Sequence, residues 1–108
     1  MNIFAVQLDI AWENRDANHH KVQSLLAGCN IPENSMVILP EMFSSGFSMN
    51  VAATREESPS ATEALLVQLA KEYRSWVFAG LVTAGENREG KNQALMVDPK
   101  GSPHTRYT

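Results

Sequence analysis

The chain of 108 residues is 44% hydrophobic and 19% charged, close to the averages for folded globular domains, and it has room for one domain at most. Its 12 acidic and 9 basic residues give a formal net charge of -3 without a cluster of Lys and Arg, so nucleic acid is not expected as a partner. The amino terminus has no basic segment of the kind that opens a signal peptide, and no apolar run approaches the ~20 residues that cross a bilayer, so we expect a cytoplasmic protein without a membrane partner.

The predicted secondary structure alternates between strands and helices. Short apolar runs predict strands at residues 3–8, 36–39 and 76–82, and amphipathic segments predict helices at residues 15–27 and 59–73. This alternation is typical of the α/β class, in which helices connect the parallel strands of a sheet.

The second predicted helix has the clearest start signals. Ser58 and Pro59 suit a cap and a first-turn proline, and Ser60 with Glu63 matches a capping box. An apolar stripe at helical spacing follows, formed by Leu65, Leu66, Leu69 and Tyr73.

Beyond the third strand the pattern predicts antiparallel hairpins. Residues 83–90 read as a polar loop with two glycines, residues 93–97 as a further strand, and residues 98–101 (DPKG) as a type I turn. Another antiparallel strand should leave that turn. We therefore expect a mixed sheet, parallel in its first part and antiparallel at the hairpins.

The carboxylate of Glu41 is the leading candidate for chemistry. The four apolar residues 36–39 predict a strand buried on both faces, and Pro40, which brings no ladder donor, ends that strand. Glu41 thus follows the carboxyl end of a buried strand, where open α/β sheets place their ligand crevices. Taken without its neighbours, such a residue is more often an exposed loop carboxylate or one half of a salt bridge.

The segment around Glu41 resembles the nitrilase superfamily of carbon-nitrogen hydrolases. Residues 39–50 read LPEMFSSGFSMN, which is especially similar to the omega-amidase branch. Supporting similarity runs through residues 3–9 (IFAVQLD), 79–82 (AGLV) and 92–101 (NQALMVDPKG). The resemblance implies an αββα sandwich, of which this βαβαβ unit and its hairpin strands would be roughly the first half. Residues 1–108 would then be the N-terminal part of a single carbon-nitrogen hydrolase domain.

The resemblance also implies a reaction. Family members hydrolyse carbon-nitrogen bonds of small linear amides by thioester chemistry with a Glu, a Lys and a Cys, and they need neither a metal nor an organic cofactor. Glu41 matches the Glu, which is the general base. The family's Lys would fall at or just past Thr108, and its nucleophilic Cys would lie in a second half beyond these residues. We therefore expect a small-molecule amide substrate, a homo-oligomer such as a dimer, and no turnover by the 108 residues alone.

Three apolar residues of the same segment are candidates for the acyl side of a substrate pocket, since such pockets are mostly apolar: Phe43, Phe47 and Met49. Plain core packing explains each of them equally well.

Other residues that often carry chemistry have plainer interpretations. Cys29 is the only cysteine and follows Gly28 at the end of the first predicted helix, so we interpret it as a structural or tolerated thiol. His19 and His20 adjoin on that helix and point about 100° apart, so they cannot chelate one metal ion as an i, i+4 pair would. No metal site is expected.

Two other classes of protein remain open. The chain could be a non-catalytic module that binds a partner or self-associates, because half a sheet leaves an unpaired edge strand and uncovered apolar faces. A small flavodoxin-like nucleotide binder also fits the strand and helix order, but the glycines form no phosphate-binding loop between a strand and a helix.

Overall fold

The computed structural model describes residues 1–57 and 60–108. Its strands and helices are numbered as they follow one another in the sequence: β1 Ile3–Ala5, α1 Arg15–Ala27, β2 Met36–Ile38, α2 Val51–Thr54, α3 Ala61–Tyr73, β3 Trp76–Ala84, β4 Gly90–Val97 and β5 Pro103–Tyr107, with a 3-10 turn at Glu86–Arg88. The five strands form one sheet in the order β1-β2-β3-β4-β5. Strands β1, β2 and β3 pair in parallel, and β3, β4 and β5 pair antiparallel. The predicted α/β class and mixed sheet are confirmed.

Helix α1 has the bounds that the sequence predicts. The Asn14 side chain accepts a hydrogen bond of 3.2 Å from the Ala17 N–H, which satisfies one of the free donors of the first turn. At the other end, the Gly28 N–H donates to the carbonyls of Ser24 and Leu25. The helix therefore begins and ends where local capping groups are available.

Helix α3 is capped by the predicted box residue. The Ser60 hydroxyl accepts a hydrogen bond of 3.1 Å from the Glu63 N–H, and the helix begins at Ala61. The start signals assigned to Ser58 and Pro59 lie outside the described residues.

One face of the sheet packs against the two long helices. The buried strand residues on this face are Val37, Leu39, Val77, Ala79, Leu81, Leu95 and Val97, and they meet Val22 and Leu26 of α1 and Leu65, Leu66, Leu69 and Ala70 of α3. Alternate residues on the opposite face are only half-buried, among them Met36, Ile38, Trp76, Phe78 and Met96. The prediction that β2 is buried on both faces is therefore wrong, since only Val37 of this strand is fully buried. In the described part of the chain, neither long helix packs on that second face, which we call the open face. The short helix α2 reaches it at one end of the sheet, where Val51 lies beside Gly90 and Val82.

Strands β3 and β4 are longer than predicted: β3 runs to Ala84 rather than to residue 82, and β4 begins at Gly90 rather than at residue 93. Part of the predicted loop at residues 83–90 therefore belongs to their hairpin, because Thr83 pairs with Lys91 and Ala84 with Gly90. At the edge of the sheet the difference is in the opposite direction. Strand β1 ends at Ala5 rather than at residue 8, although the Val6 N–H still donates to the Ile38 carbonyl at 2.9 Å. It is an edge strand with a partner on one side only, so its pairing ends where β2 ends.

Helix α2 has four residues, too few to give a periodic apolar pattern, and it was not predicted. Among the described residues, no helix is both long enough and apolar enough to cross a membrane.

The core makes a prediction about stability. We expect Leu66→Ala in α3, whose side chain is 0% exposed, to lower the free energy of unfolding by about 2–5 kcal/mol, because it removes apolar contacts and leaves a cavity. The matched control is Leu25→Ala in α1, where the side chain is 46% exposed and the expected loss is within about 0.5 kcal/mol. Urea unfolding of both variants measures the difference, and equal losses would contradict this packing.

Candidate active site

Glu41 lies in a tight turn directly after β2. Leu39 still pairs with β3, its N–H donating to the Phe78 carbonyl at 2.8 Å, and the chain then leaves the sheet at Pro40. Met42 has a positive φ of 49°, and its carbonyl accepts from the N–H groups of Ser45 and Gly46 at 3.2 and 2.8 Å. These bonds close the turn, so Glu41 sits at the carboxyl edge of the parallel strands as predicted from its place after the strand.

Gly80 of β3 allows this turn to approach the sheet. A Cβ atom at Gly80 would lie 2.8 Å from the Glu41 Cα and 3.1 Å from the Met42 N, closer than side-chain carbons pack. The absence of a side chain at this one position therefore sets how near the Glu41 backbone comes to the open face.

The Glu41 carboxylate has one described hydrogen-bond partner. The Asn92 Nδ2 of β4 donates to Glu41 Oε2 at 2.7 Å. Asn92 pairs with Val82 of β3 in the antiparallel register. Three neighbouring strands thus define the position of the carboxylate: Glu41 follows β2, Gly80 of β3 leaves space for its backbone, and Asn92 of β4 donates to its side chain.

Glu41 lines a cavity of about 370 Å³ on the open face. The other lining residues come from β3, β4 and β5 and from the end of β2: Leu39, Phe78, Gly80, Asn92, Gln93, Ala94, Tyr107 and Thr108. Its lining combines apolar groups with hydrogen-bonding side chains and one carboxylate, that of Glu41, which is exposed to solvent. Apolar surface with a few polar groups is the usual make-up of a small-molecule site. Among these lining residues, Glu41 is the carboxylate, and a carboxylate is one of the side chains that can act as a general base.

The rim of the cavity at β5 is tied to the rest of the fold. Arg106 Nη2 donates to Glu63 Oε1 of α3 at 2.6 Å, and Arg106 Nη1 donates to Gln93 Oε1 at 3.0 Å. Gln93 Nε2 in turn donates to the Thr108 hydroxyl at 3.0 Å. The last described residues are therefore held beside the cavity that contains Glu41.

The far side of the Glu41 turn packs on polar groups of α1. Asn18, which is fully buried, donates from Nδ2 to the Ser44 carbonyl at 2.6 Å and to the Ala11 carbonyl at 2.8 Å. His19 Nε2 lies 2.8 Å from the Ser44 hydroxyl, and its ring packs at 5.8 Å against Phe43. Burial lowers the pKa of His19 below its ordinary value, and Arg15 lowers it further, although Glu56 and Asp16 oppose the shift.

The three apolar candidates of the motif lie elsewhere than the Glu41 cavity. Phe43 is fully buried in the core between the sheet and the helices. Phe47 and Met49 are 65% and 92% exposed on the loop that follows. None of the three is among the residues that line the cavity in the described structure.

Cys29 and the histidines are not part of this cavity. Cys29 is exposed after the C-terminal end of α1, before β2, whereas Glu41 follows β2 at the opposite edge of the sheet. His104 of β5 packs edge-on against Trp76 at 5.2 Å. In the part of the chain that the structure describes, no group of three His, Cys, Asp or Glu side chains is placed to hold a metal ion.

Sequence reasoning missed Gly80 and Asn92 as site residues. Both lie inside stretches that support the family resemblance, but their roles depend on the β3–β4 register, which pairs Gly80 with Ala94 and Val82 with Asn92. The available signal was alternation, since Asn92 shares a strand face with Ala94 and Met96. Combining that face with the predicted position of Glu41 could have identified Asn92.

Comparisons with known proteins agree with this architecture. Residues 3–108 match the family described as carbon-nitrogen hydrolase. The chain is 30% identical over 105 residues to the omega-amidase YafV of Escherichia coli, covering 96% of this chain and 39% of that protein. It therefore spans about two-fifths of the length of this curated relative.

Solved structures share the fold. A carbon-nitrogen hydrolase superfamily protein of Xanthomonas campestris, with an arsenic adduct in its active site, superposes with a TM-score of 0.82 at 26% identity, over 97% of this chain and 38% of that one. Nit3 of Saccharomyces cerevisiae, of branch 10 of the nitrilase superfamily, gives a TM-score of 0.78 at 16% identity, over 97% of this chain and 42% of that one.

Proposed function

The chain belongs to the carbon-nitrogen hydrolase family, and we propose that it is the N-terminal part of an amidase that hydrolyses the terminal amide of a small linear acid. The similarity to an omega-amidase over 96% of the chain supports this substrate class. The observation that carries the proposal is the position of Glu41, a carboxylate that accepts a hydrogen bond from Asn92 at the wall of a cavity with both apolar and polar lining residues.

In the proposed reaction, Glu41 is the general base for a cysteine thiol supplied by residues beyond Thr108. The carboxylate takes the thiol proton, and the thiolate attacks the amide carbon to give a tetrahedral oxyanion. A lysine ammonium and a backbone N–H stabilise that oxyanion. The protonated Glu41 then gives its proton to the leaving nitrogen, ammonia departs, and a thioester remains. Water, deprotonated by the same carboxylate, hydrolyses the thioester to the acid and the free thiol.

The proposed lysine follows strand β5. The hydrogen bonds from Arg106 to Glu63 and Gln93 hold Tyr107 and Thr108 at the rim of the Glu41 cavity. A side chain placed at or just after Thr108 would thus start close to the carboxylate. The roles of Phe43, Phe47 and Met49 beside the substrate stay predictions, as does a cytoplasmic location.

Ammonia release tests the proposal. The complete protein, meaning the product of the reading frame that contains these residues, should release ammonia from half-amides of short dicarboxylic acids. We expect residues 1–108 expressed separately to release none, because a base without its nucleophile has nothing to activate. A complete protein that binds these amides without releasing ammonia would favour a binding module instead.

The open face of the sheet leads to a prediction about association. We propose that a second sheet covers Trp76, Phe78 and Met96 in the complete αββα sandwich, and that complete subunits form homo-oligomers through helix faces. Residues 1–108 in isolation should therefore self-associate, since these half-buried apolar side chains lack a covering layer in the described structure. Light scattering at high concentration measures this, and a sharp monomer peak would count against it.

A further inference from the structure

A chain of buried polar groups connects Glu56 with the far side of the Glu41 turn. The Glu56 backbone is fixed to β3, its N–H donating to the Val82 carbonyl at 2.9 Å and its carbonyl accepting from the Ala84 N–H at 3.0 Å. Its side chain is only 5% exposed and points to the N-terminal end of α3. The Ser60 hydroxyl donates to Oε1 at 2.7 Å, the Thr62 N–H donates to Oε1 at 2.8 Å, and the Thr62 hydroxyl donates to Oε2. A carboxylate is favoured at this position by the helix dipole.

The acceptor character of this carboxylate sets the direction of the next hydrogen bonds. The Thr62 hydroxyl proton is committed to Glu56, so Thr62 Oγ1 can only accept from Ser44 Oγ, 2.8 Å away, and from His19 Nε2, 3.0 Å away. The Ser44 hydroxyl therefore donates to Thr62 and must accept from His19 Nε2 at 2.8 Å. If Nε2 carried no proton, its lone pair would face the lone pairs of Ser44 Oγ and Thr62 Oγ1. His19 must then carry a proton on Nε2.

The same hydrogen-bond network includes a residue of the turn that contains Glu41. Ser44 belongs to that turn, its carbonyl is held by Asn18, and the preceding Phe43 packs on the His19 ring. We propose that Glu56 is a positioning residue for Glu41: it orders the protons along Thr62, Ser44 and His19 and thereby fixes the turn. Its importance for catalysis rests on the proposed function, whereas the proton order does not. The lowered pKa of His19 agrees with a neutral ring bearing one N–H.

The proposal makes an unusual prediction for Glu56→Gln. The Thr62 N–H can only donate, so the oxygen of the new Gln side chain has to occupy the position of Oε1. Its NH₂ group then occupies the position of Oε2 and donates to Thr62 Oγ1. The Thr62 hydroxyl then has to donate to Ser44 Oγ, and the Ser44 hydroxyl has to donate to His19 Nε2, which becomes an acceptor. Keeping the original order would leave a buried hydroxyl without an acceptor, which costs about 1–3 kcal/mol. The neutral ring should therefore change from the Nε2–H to the Nδ1–H tautomer.

Nitrogen NMR of the complete protein, labelled with ¹⁵N-histidine and held at about pH 7.5, distinguishes the two tautomers. The His19 signals are assigned by their loss in His19→Gln. The parent protein should show Nε2–H and Glu56→Gln should show Nδ1–H. The matched control is Glu57→Gln, an exposed neighbour with the same change of charge, which should keep Nε2–H. A parent protein with Nδ1–H, or an unchanged tautomer in Glu56→Gln, would overturn the proposal.

A second pair of variants covers the case in which Glu56→Gln does not fold. Thr62→Ser keeps the hydroxyl and should keep Nε2–H, whereas Thr62→Val removes the acceptor of Ser44 and should give Nδ1–H. The effect on Glu41 is measured from the NMR signal of the Asn92 side-chain amide, which donates to the Glu41 carboxylate. This signal should shift in Glu56→Gln, because the Glu41 carboxylate moves. The turnover number should fall about 10- to 100-fold with little change in KM.

The readouts separate the two possible failures. If the protein hydrolyses no amide, the tautomer and the Asn92 signal still test the positioning role. If the tautomer switches while the Asn92 signal and the turnover number stay unchanged, Glu56 does not position Glu41.

Discussion

Glu41→Gln should lower the turnover number of the complete protein for amide hydrolysis by roughly 10²- to 10⁴-fold, the usual contribution of a general base. The amide has almost the same shape as the carboxylate, and its oxygen can still accept the hydrogen bond from Asn92 Nδ2. It cannot take the thiol proton at neutral pH, so the loss should fall on kcat with little change in KM. Steady-state ammonia release measures both constants.

The control for this substitution is Glu33→Gln. Glu33 is an exposed carboxylate that pairs with Arg74 at 2.8 Å on the surface, where an ion pair contributes about 1 kcal/mol or less. It should keep the parent activity. Full turnover by Glu41→Gln would show that Glu41 holds its position in the sheet without taking part in the reaction.

Gly80→Ala should reduce the turnover number by about 100-fold, the loss expected for a displacement of about 1 Å in a catalytic group. The new Cβ would lie 2.8 Å from the Glu41 Cα and 3.1 Å from the Met42 N, and these are backbone atoms that cannot rotate away. The turn must move outward from the sheet, and overpacking of this kind costs about 1–3 kcal/mol of stability. Ammonia release and urea unfolding measure the two effects.

Gly28→Ala is the matched control for Gly80→Ala. A Cβ at Gly28 would have its nearest neighbour at 3.6 Å, an ordinary contact, and the residue has a negative φ of -82°. Stability should stay equal or rise by about 0.4–1 kcal/mol, with unchanged activity. If Gly80→Ala kept full activity, close approach of the turn to β3 would not matter for the site.

Local signals in the sequence predicted most of the fold. The end of α1 follows from Gly28, which the sequence places directly after the last helical residue. The position of Glu41 follows from a short apolar run and a proline. These features depend on residues adjacent in the chain, which is why a single sequence was enough to find them.

The site residues that were missed depend on contacts between distant segments. Asn92 reaches Glu41 across 51 positions of the chain, and that contact exists only in the observed β3–β4 register. Phe43 is buried in the core directly after Met42, whose positive φ is a conformation that its residue type does not signal. Glu56, which reads as one of two adjacent acidic residues, owes its burial to its bridge with Thr83 of β3.

The intact mass of the complete protein, quenched during turnover of a half-amide, tests most directly whether Glu41 activates a cysteine thiol. The proposed mechanism requires an adduct with the mass of the substrate minus ammonia, on a cysteine other than Cys29, present in Cys29→Ser and strongly reduced in Glu41→Gln. Ammonia release without any adduct, an adduct on Cys29, or an adduct that forms at the parent rate in Glu41→Gln would contradict the mechanism.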